Sequence, residues 1–179
     1  MKIVVAGEGA FGRKHLEALR NIENIEVVSL AGGVETATGD VAKGLGIPHW
    51  SLDLGECLSQ PGVEAAILVT PTPMHAAQAM QVLDAGKHVF VEIPMADNIE
   101  DSRALSEKVK ATGLTAMVGH VRRFNPPHQW VNNRVASGEL NIQQMDIQTF
   151  FFRRSNVNAL GEPRSWTDHL LWHHAAHSI

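Results

Sequence analysis

The sequence predicts an α/β protein: a doubly wound parallel sheet followed by the start of a second α/β domain that is cut short. Three observations carry this expectation. Short, uniformly apolar runs rich in β-branched residues alternate with helical stretches up to residue 120. A glycine-rich turn (Gly7, Gly9, Gly12) separates the first such run from the first helix. Beyond residue 120 the alternation stops, and one long strand pattern stands without a partner.

The elements follow in order. "KIVVAG" is a buried strand ending in glycine, and residues 12–21 form a helix with Leu16 and Leu19 on one face. "IEVVSLAG" is the second strand, and 34–45 a weaker helix interrupted by Gly39 and Gly44. "PHW" is a short third strand, followed by a short helix over 53–60 with Asp53 near its start. "EAAILVTPT" is the fourth strand, and a helix runs from His75 to Ala85, closed by Gly86. "HVFVEIP" is the fifth, 98–112 a helix closed by Gly113, and "TAMVGH" the sixth. Prolines then start a helix in "NPPHQWVNNRVASGEL". "NIQQMDIQTFFFRR" reads as a long strand and 166–179 as a helix. The domains expected are 1–120 for dinucleotide binding and 121–179 for the first part of a substrate and oligomerisation domain.

Composition narrows the function classes. A 44% hydrophobic content supports a core, and 19% charged residues exclude a disordered or supercharged chain. No apolar run is long enough to span a membrane. The opening turns glycine-rich too soon for a secretory leader, and Cys57 is alone, so a reducing cytoplasm is expected. Residues 1–120 carry nine Lys/Arg against fifteen Asp/Glu, a net of −6; residues 121–179 carry six Arg, no Lys and four acids, a net of +2. Neither part is basic enough for nucleic acid. Arginine without lysine, beside five histidines, suits two-point binding of carboxylate or phosphate, with surface solvation as the plainer alternative.

Gly7, Gly9 and Gly12 form G-x-G-x-x-G in a strand–helix–strand unit, the setting that gives this motif its meaning as a Rossmann phosphate loop. Gly7 makes the turn, Gly9 admits the pyrophosphate and Gly12 lets helix and strand pack, with the helix N-terminus facing phosphate; Ala10 and Phe11, inside the motif, join the cofactor-site set. Glu8 is anomalous: its charge either points to solvent or weakens binding. The acid that normally ends the second strand to hold the ribose is missing, and Gly32 and Gly33 stand there instead. That removes repulsion against a 2′-phosphate without supplying an arginine, unless Arg13 does so. The cofactor expected is NADP, with NAD as the alternative. Thr70, Pro71, Thr72 and His75 follow the fourth strand and Glu92 ends the fifth, which places them near the nicotinamide half; His75 as a first-turn surface residue and Glu92 as a buried structural carboxylate are the alternatives. Trp50, Trp130, Trp166 and Trp172 are read as packing residues.

"GEGAFGRKHLEAL", "TPTPMHAAQAMQVLDAGKHVFVEIPMAD" and "GHVRRFNP" together resemble the glucose–fructose oxidoreductase/inositol dehydrogenase/rhizopine catabolism family of dehydrogenases. Most of that family has Glu-Lys-Pro where this chain has Glu92-Ile93-Pro94. With "IQQMDIQTFFFRR", "GEPRSWTDHLLWHHAAH" and "RRFNPPHQW", this narrows the resemblance to members that oxidise a cyclic hemiacetal dicarboxylate to a lactone in the breakdown of aromatic compounds, usually with NADP. A sugar or polyol dehydrogenase and a non-catalytic NAD(P)-binding protein are the rivals. The resemblance implies a chain about twice this length, which points to a truncated second domain, and a homo-oligomer in the full-length form. Relatives often have Ser-Arg at the positions of Gly32-Gly33.

His169, His173 and His177 recur along one face of the last helix, with His174 turned aside. A metal site, a packed structural cluster and acid/base catalysis compete for them. No HExxH accompanies them, so no metal is expected. In many family members a Lys after the Glu and an Asp-x-x-x-His pair share the proton; here Ile93 and His173 stand in those places. The resemblance therefore implies that His177 is the general base and His173 orients it or binds substrate. His174, Arg122, Arg123, Arg164 and Asp168 are the expected substrate contacts, with Arg153 and Arg154 as further candidates. Ile93 joins the cofactor-site set.

Overall fold

The computed structural model describes residues 1–148, 150, 157 and 163. The chain divides into two compact units, Met1–Gly119 and His120–Ile179. The first is a six-stranded parallel sheet of order β3-β2-β1-β4-β5-β6. Its strands are β1 (Lys2–Ala6), β2 (Glu26–Ala31), β3 (His49–Ser51), β4 (Val63–Leu68), β5 (His88–Val91) and β6 (Ala116–Val118). Between them run α1 (Ala10–Leu19), α2 (Glu35–Leu45), α3 (Leu54–Leu58), α4 (Thr72–Asp84) and α5 (Ile99–Thr112). The order reverses between β1 and β4, which opens a crevice at the C-terminal strand ends, where sheets of this kind bind ligands.

Both faces are covered, so β1 is apolar on both sides. Ile3 and Val5 pack with Leu16, Leu30 and Val41, under α1 and α2. Val4 and Ala6 pack with Leu68, Val82 and Leu83, on the α3–α5 side. Cys57 lies fully buried in the second cluster, and burial pushes its thiol up, so it acts as a small apolar side chain. The helix ends follow the expected chemistry: the Asp53 carboxylate accepts from the amides of Gly55 and Glu56, and Asn98 accepts from Asp101. Gly46 and Gly113 close α2 and α5 in the left-handed region.

The structure corrects several expectations. Helix α2 is continuous through Gly39 and Gly44. A Cβ at Gly39 would lie 3.1 Å from the Trp50 ring, so that glycine serves close packing against β3. Helix α4 begins at Thr72, three residues before His75, with proline in its first turn. Strand β5 stops at Val91, so Glu92 and Ile93 belong to the loop, and the Ile93–Pro94 bond is cis.

In the second unit a 3₁₀ turn, Val121–Phe124, precedes α6 (Pro126–Ala136), which buries none of its residues. Trp130 on α6 is exposed and carries the Arg134 guanidinium 3.8 Å above its ring, a stacking contact where core packing was expected. Residues 141–148 carry no strand; Val157 and Pro163 form an isolated antiparallel bridge. Strand propensity alone does not make a strand; residues 149 and 151–154 of the expected strand lie outside the described residues. The helix expected over 166–179 lies outside the described residues.

Leu68 is fully buried at the end of β4. Leu68→Ala is expected to lower unfolding free energy by about 2–5 kcal/mol, measured by urea denaturation, while the exposed Ile99→Ala moves it by about 0.5 kcal/mol or less.

Candidate functional site

The turn between β1 and α1 is shaped by close approaches. Gly7 has φ +118°, and a Cβ there would lie 2.5 Å from the Val69 carbonyl oxygen. A Cβ at Gly12 would lie 1.9 Å from the Gly7 carbonyl oxygen. Gly9 differs: its φ is −66° and nothing stands within 4 Å of its Cβ position. Gly9 is also the N-cap of α1, no side chain caps the helix, and no acid lies in its first turn. The amides that open α1 at Ala10, Phe11 and Gly12 are thus left to a ligand, and the partial positive charge of the helix end favours an anion. The space above Gly9 and these uncapped donors fit a dinucleotide pyrophosphate.

Neighbouring strand ends are laced to this turn. The Gly7 amide donates to Ala31 at 2.8 Å, that of Val69 to Ala6 at 2.8 Å, that of Glu92 to Leu68 at 3.0 Å and that of Gly119 to Val91 at 2.8 Å. Glu8 does not simply face solvent. It is half-buried, and its Oε1 accepts from the amides of Gly33 and Val34, each at 3.0 Å. A Cβ at Gly32 would strike the Thr38 hydroxyl at 1.9 Å, and that buried hydroxyl donates to the Val34 carbonyl oxygen.

After β4, the Thr70 hydroxyl donates to Gln78, and Thr72 is buried in the first turn of α4. His75 is buried and not a surface residue: Nε2 lies 2.7 Å from the Thr70 carbonyl oxygen and Nδ1 2.7 Å from that of Pro94. Its ring therefore joins the loops after β4 and β5. Glu92 is buried too; its Oε1 lies 2.8 Å from His15 Nε2, and Oε2 accepts from the Ile93 amide at 3.3 Å. A Cβ at Gly119 would come 2.9 Å from that carboxylate. His15 also makes an edge contact with the Phe11 ring.

Gly7, Gly9, Ala10, Phe11, Gly12, Gly32, Gly33, Thr70, Pro71, Thr72, Glu92 and Ile93 thus all lie at the C-terminal ends of β1, β2, β4 and β5, with His75 beneath the last two loops. Arg122 and Arg123 lie in the second unit, in the 3₁₀ turn; Arg122 is half-buried, Arg123 is exposed, and the Arg122 carbonyl oxygen is 3.0 Å from His128 Nδ1. Arg153, Arg154, Arg164, Asp168, His169, His173, His174 and His177 lie outside the described residues. Among the described residues no group of His, Cys, Asp and Glu is arranged to hold a metal, and no helix is long and apolar enough to cross a membrane. Sequence reasoning missed His15, Gln78 and Gly119. His15 had a signal, since it stands four residues after Phe11 and shares its helix face.

Residues 1–120 match the model of the oxidoreductase family with an NAD-binding Rossmann fold, and residues 126–179 match that of the C-terminal part of bacterial oxidoreductases. The chain belongs to the Gfo/Idh/MocA oxidoreductase family. It is 56% identical over all 179 residues to 4-carboxy-2-hydroxymuconate-6-semialdehyde dehydrogenase of Sphingobium sp. strain SYK-6, covering 57% of that protein. It is 36% identical over 141 residues to scyllo-inositol 2-dehydrogenase (NAD(+)) of Bacillus subtilis, covering 78% of this chain and 41% of that one. The scyllo-inositol dehydrogenase of Lactobacillus casei, solved with NAD(H) and scyllo-inositol, superposes with a TM-score of 0.73 at 25% identity, over 78% of this chain and 42% of that one. The chain therefore spans about half the length of the family members it matches.

Because nothing among the described residues meets a Cβ at Gly9, Gly9→Ala is expected to leave the urea midpoint nearly unchanged while weakening NAD(H) binding about tenfold or more. Gly12→Ala is expected to destabilise by about 1–3 kcal/mol through overpacking. Equal losses of stability in both variants would remove the ligand role of Gly9.

Proposed function

We propose that the whole protein is an NAD(P)-dependent dehydrogenase. It oxidises the cyclic hemiacetal of 4-carboxy-2-hydroxymuconate-6-semialdehyde to 2-pyrone-4,6-dicarboxylate, a step of aromatic catabolism through protocatechuate 4,5-cleavage. The observation that carries this reading is the 56% identity, across every residue of this chain, with the Sphingobium dehydrogenase of that name. The uncapped glycine turn supports the cofactor half of the reading.

When bound, the nicotinamide ring supplies the hydride acceptor. The chain's residues hold the dinucleotide and take the proton. Gly7, Gly9 and Gly12 shape the phosphate cradle, and the Glu92–His15 pair fixes the loop after β5 against α1. His177 takes the hydroxyl proton as hydride leaves the same carbon, so the hemiacetal carbon becomes the lactone carbonyl; His173 orients His177. Ile93 neither gives nor takes a proton, and a hemiacetal hydroxyl is acidic enough to do without a lysine there. Arg122 or Arg123 binds a substrate carboxylate by two-point contact, assisted by His174, Arg164 and Asp168. The whole protein is a homo-oligomer.

The test is a spectrophotometric assay of the hemiacetal with NAD and NADP side by side, expected to yield reduced cofactor and lactone together. Turnover of inositol with none of the hemiacetal would favour a polyol dehydrogenase, the reading that the Bacillus relative supports. His177→Asn is expected to lower kcat by about 10²–10⁴-fold. Of Arg122→Lys and Arg123→Lys, at least one is expected to raise KM with a smaller effect on kcat.

A further inference from the structure

We propose that His15 is a positioning residue for the nicotinamide end of the dinucleotide. Through the Glu92 carboxylate it holds the backbone at Ile93, and without it the cofactor loses what that end alone contributes to binding. The inference deepens the proposed function and rests on the reading of the glycine turn as a dinucleotide site. A dinucleotide crosses the crevice where the strand order reverses, with its adenosine on the β2 side. Its nicotinamide end therefore reaches the loops after β4 and β5. In the loop after β5 the last hydrogen bond to the sheet runs from the Glu92 amide to Leu68. The next amide, that of Ile93, donates instead to Oε2 of the Glu92 side chain at 3.3 Å. The path of the loop at Ile93 thus follows wherever that carboxylate is held.

The imidazole of His15 holds it. Nε2 lies 2.8 Å from Glu92 Oε1. A carboxylate oxygen only accepts, so the proton of this contact sits on Nε2. The ring is itself held on two sides: Phe11 meets it edge-on with centroids 5.5 Å apart, and Phe90 lies tilted at 5.7 Å. The two oxygens of Glu92 then have separate tasks, one fixed by α1 and the other fixing the loop. The phosphate cradle has no such dependence. Its shape comes from the backbone approaches of Gly7 to Val69 and of Gly12 to Gly7, and α1 opens with the Arg13 amide donating to Gly9 at 3.0 Å. None of these contacts uses the His15 side chain. Loss of the imidazole therefore leaves the pyrophosphate site formed and releases the nicotinamide side.

The experiment is a calorimetric titration of the intact protein with a reduced cofactor and with the same molecule lacking nicotinamide. The pair is NADH with ADP-ribose, or NADPH with 2′-phospho-ADP-ribose, whichever cofactor the wild type binds more tightly. The wild type is expected to bind the cofactor about tenfold or more tighter than the fragment. His15→Ala is expected to weaken the cofactor about tenfold and the fragment about twofold or less. Glutamine can set an amide N–H close to where Nε2 stands, so His15→Gln is expected to keep both affinities within about threefold of the wild type. A merely structural role for His15 would weaken both ligands together. Should the lone buried carboxylate left by His15→Ala prevent folding, the double variant His15→Leu with Glu92→Leu removes the pair without burying a charge, and the same selective loss is expected. A cofactor-to-fragment ratio unmoved in the folded variant would overturn the inference, as would a wild type that binds the cofactor no tighter than the fragment; the dinucleotide reading survives both. A wild type that binds neither cofactor would overturn that reading and this inference with it, so the two failures are distinguishable.

Discussion

Helix α1 lies so close to the end of β1 that one methyl group would part them. A side chain at Gly12 would enter the Gly7 carbonyl oxygen, and one at Gly7 would enter the backbone after β4. The turn is pinched between its own helix and the neighbouring strand, and this contact sets the geometry of the site. It draws the start of α1 down into the crevice between β1 and β4, so that amides with no partner in their own helix open where a ligand enters. It also places Glu8, between two of the glycines, within reach of the loop after β2.

The loops beside this turn are held by buried polar side chains. Burying a carboxylate is costly unless it is paired, and Glu92 is paired with His15 from α1 and with the Ile93 amide. His75 sits between the carbonyl oxygens of Thr70 and Pro94, one from each of two loops. Gly119 leaves the space that the Glu92 carboxylate needs. The loop after β5 is thus tied to the helix that bears the phosphate cradle, and the loop after β4 is tied to it in turn. A site held in this way keeps its donors fixed relative to one another, which is what a ligand contacted at several points requires.

The repeating elements were legible in the sequence because their cause is local. "IVVA" and "VFV" are apolar without interruption since both faces of the sheet are covered, and Asn98 and Gly113 mark the ends of α5 by their own backbone chemistry. The glycine spacing of the phosphate turn was legible for the same reason. What escaped depends on residues distant in the chain. Gly39 looked like a helix breaker because Trp50, eleven residues on, is what it accommodates. Glu8 looked like a misplaced charge because its partners lie at Gly33 and Val34. The role of His15 was hidden because its partner, Glu92, is far along the chain. The strand expected over 141–154 rests on a local residue pattern, and the described residues 141–148 form no strand, so that pattern does not decide the pairing.

The charge of the first 120 residues makes the same point about function. Nine basic and fifteen acidic side chains leave a net of −6, yet the fold and family bind an anionic dinucleotide. The two are compatible because net charge acts from a distance and is screened over about 8–10 Å in physiological salt. The uncapped amides of α1 would meet a phosphate in hydrogen-bond contact, where screening is weak. Attraction therefore has to come from backbone geometry, and any carboxylate near the cradle has a disproportionate effect. No acid stands in the first turn of α1, and the one acid within the glycine motif, Glu8, is drawn aside onto other amides. Those two hydrogen bonds offset part of a negative charge that would otherwise oppose an anion at the turn.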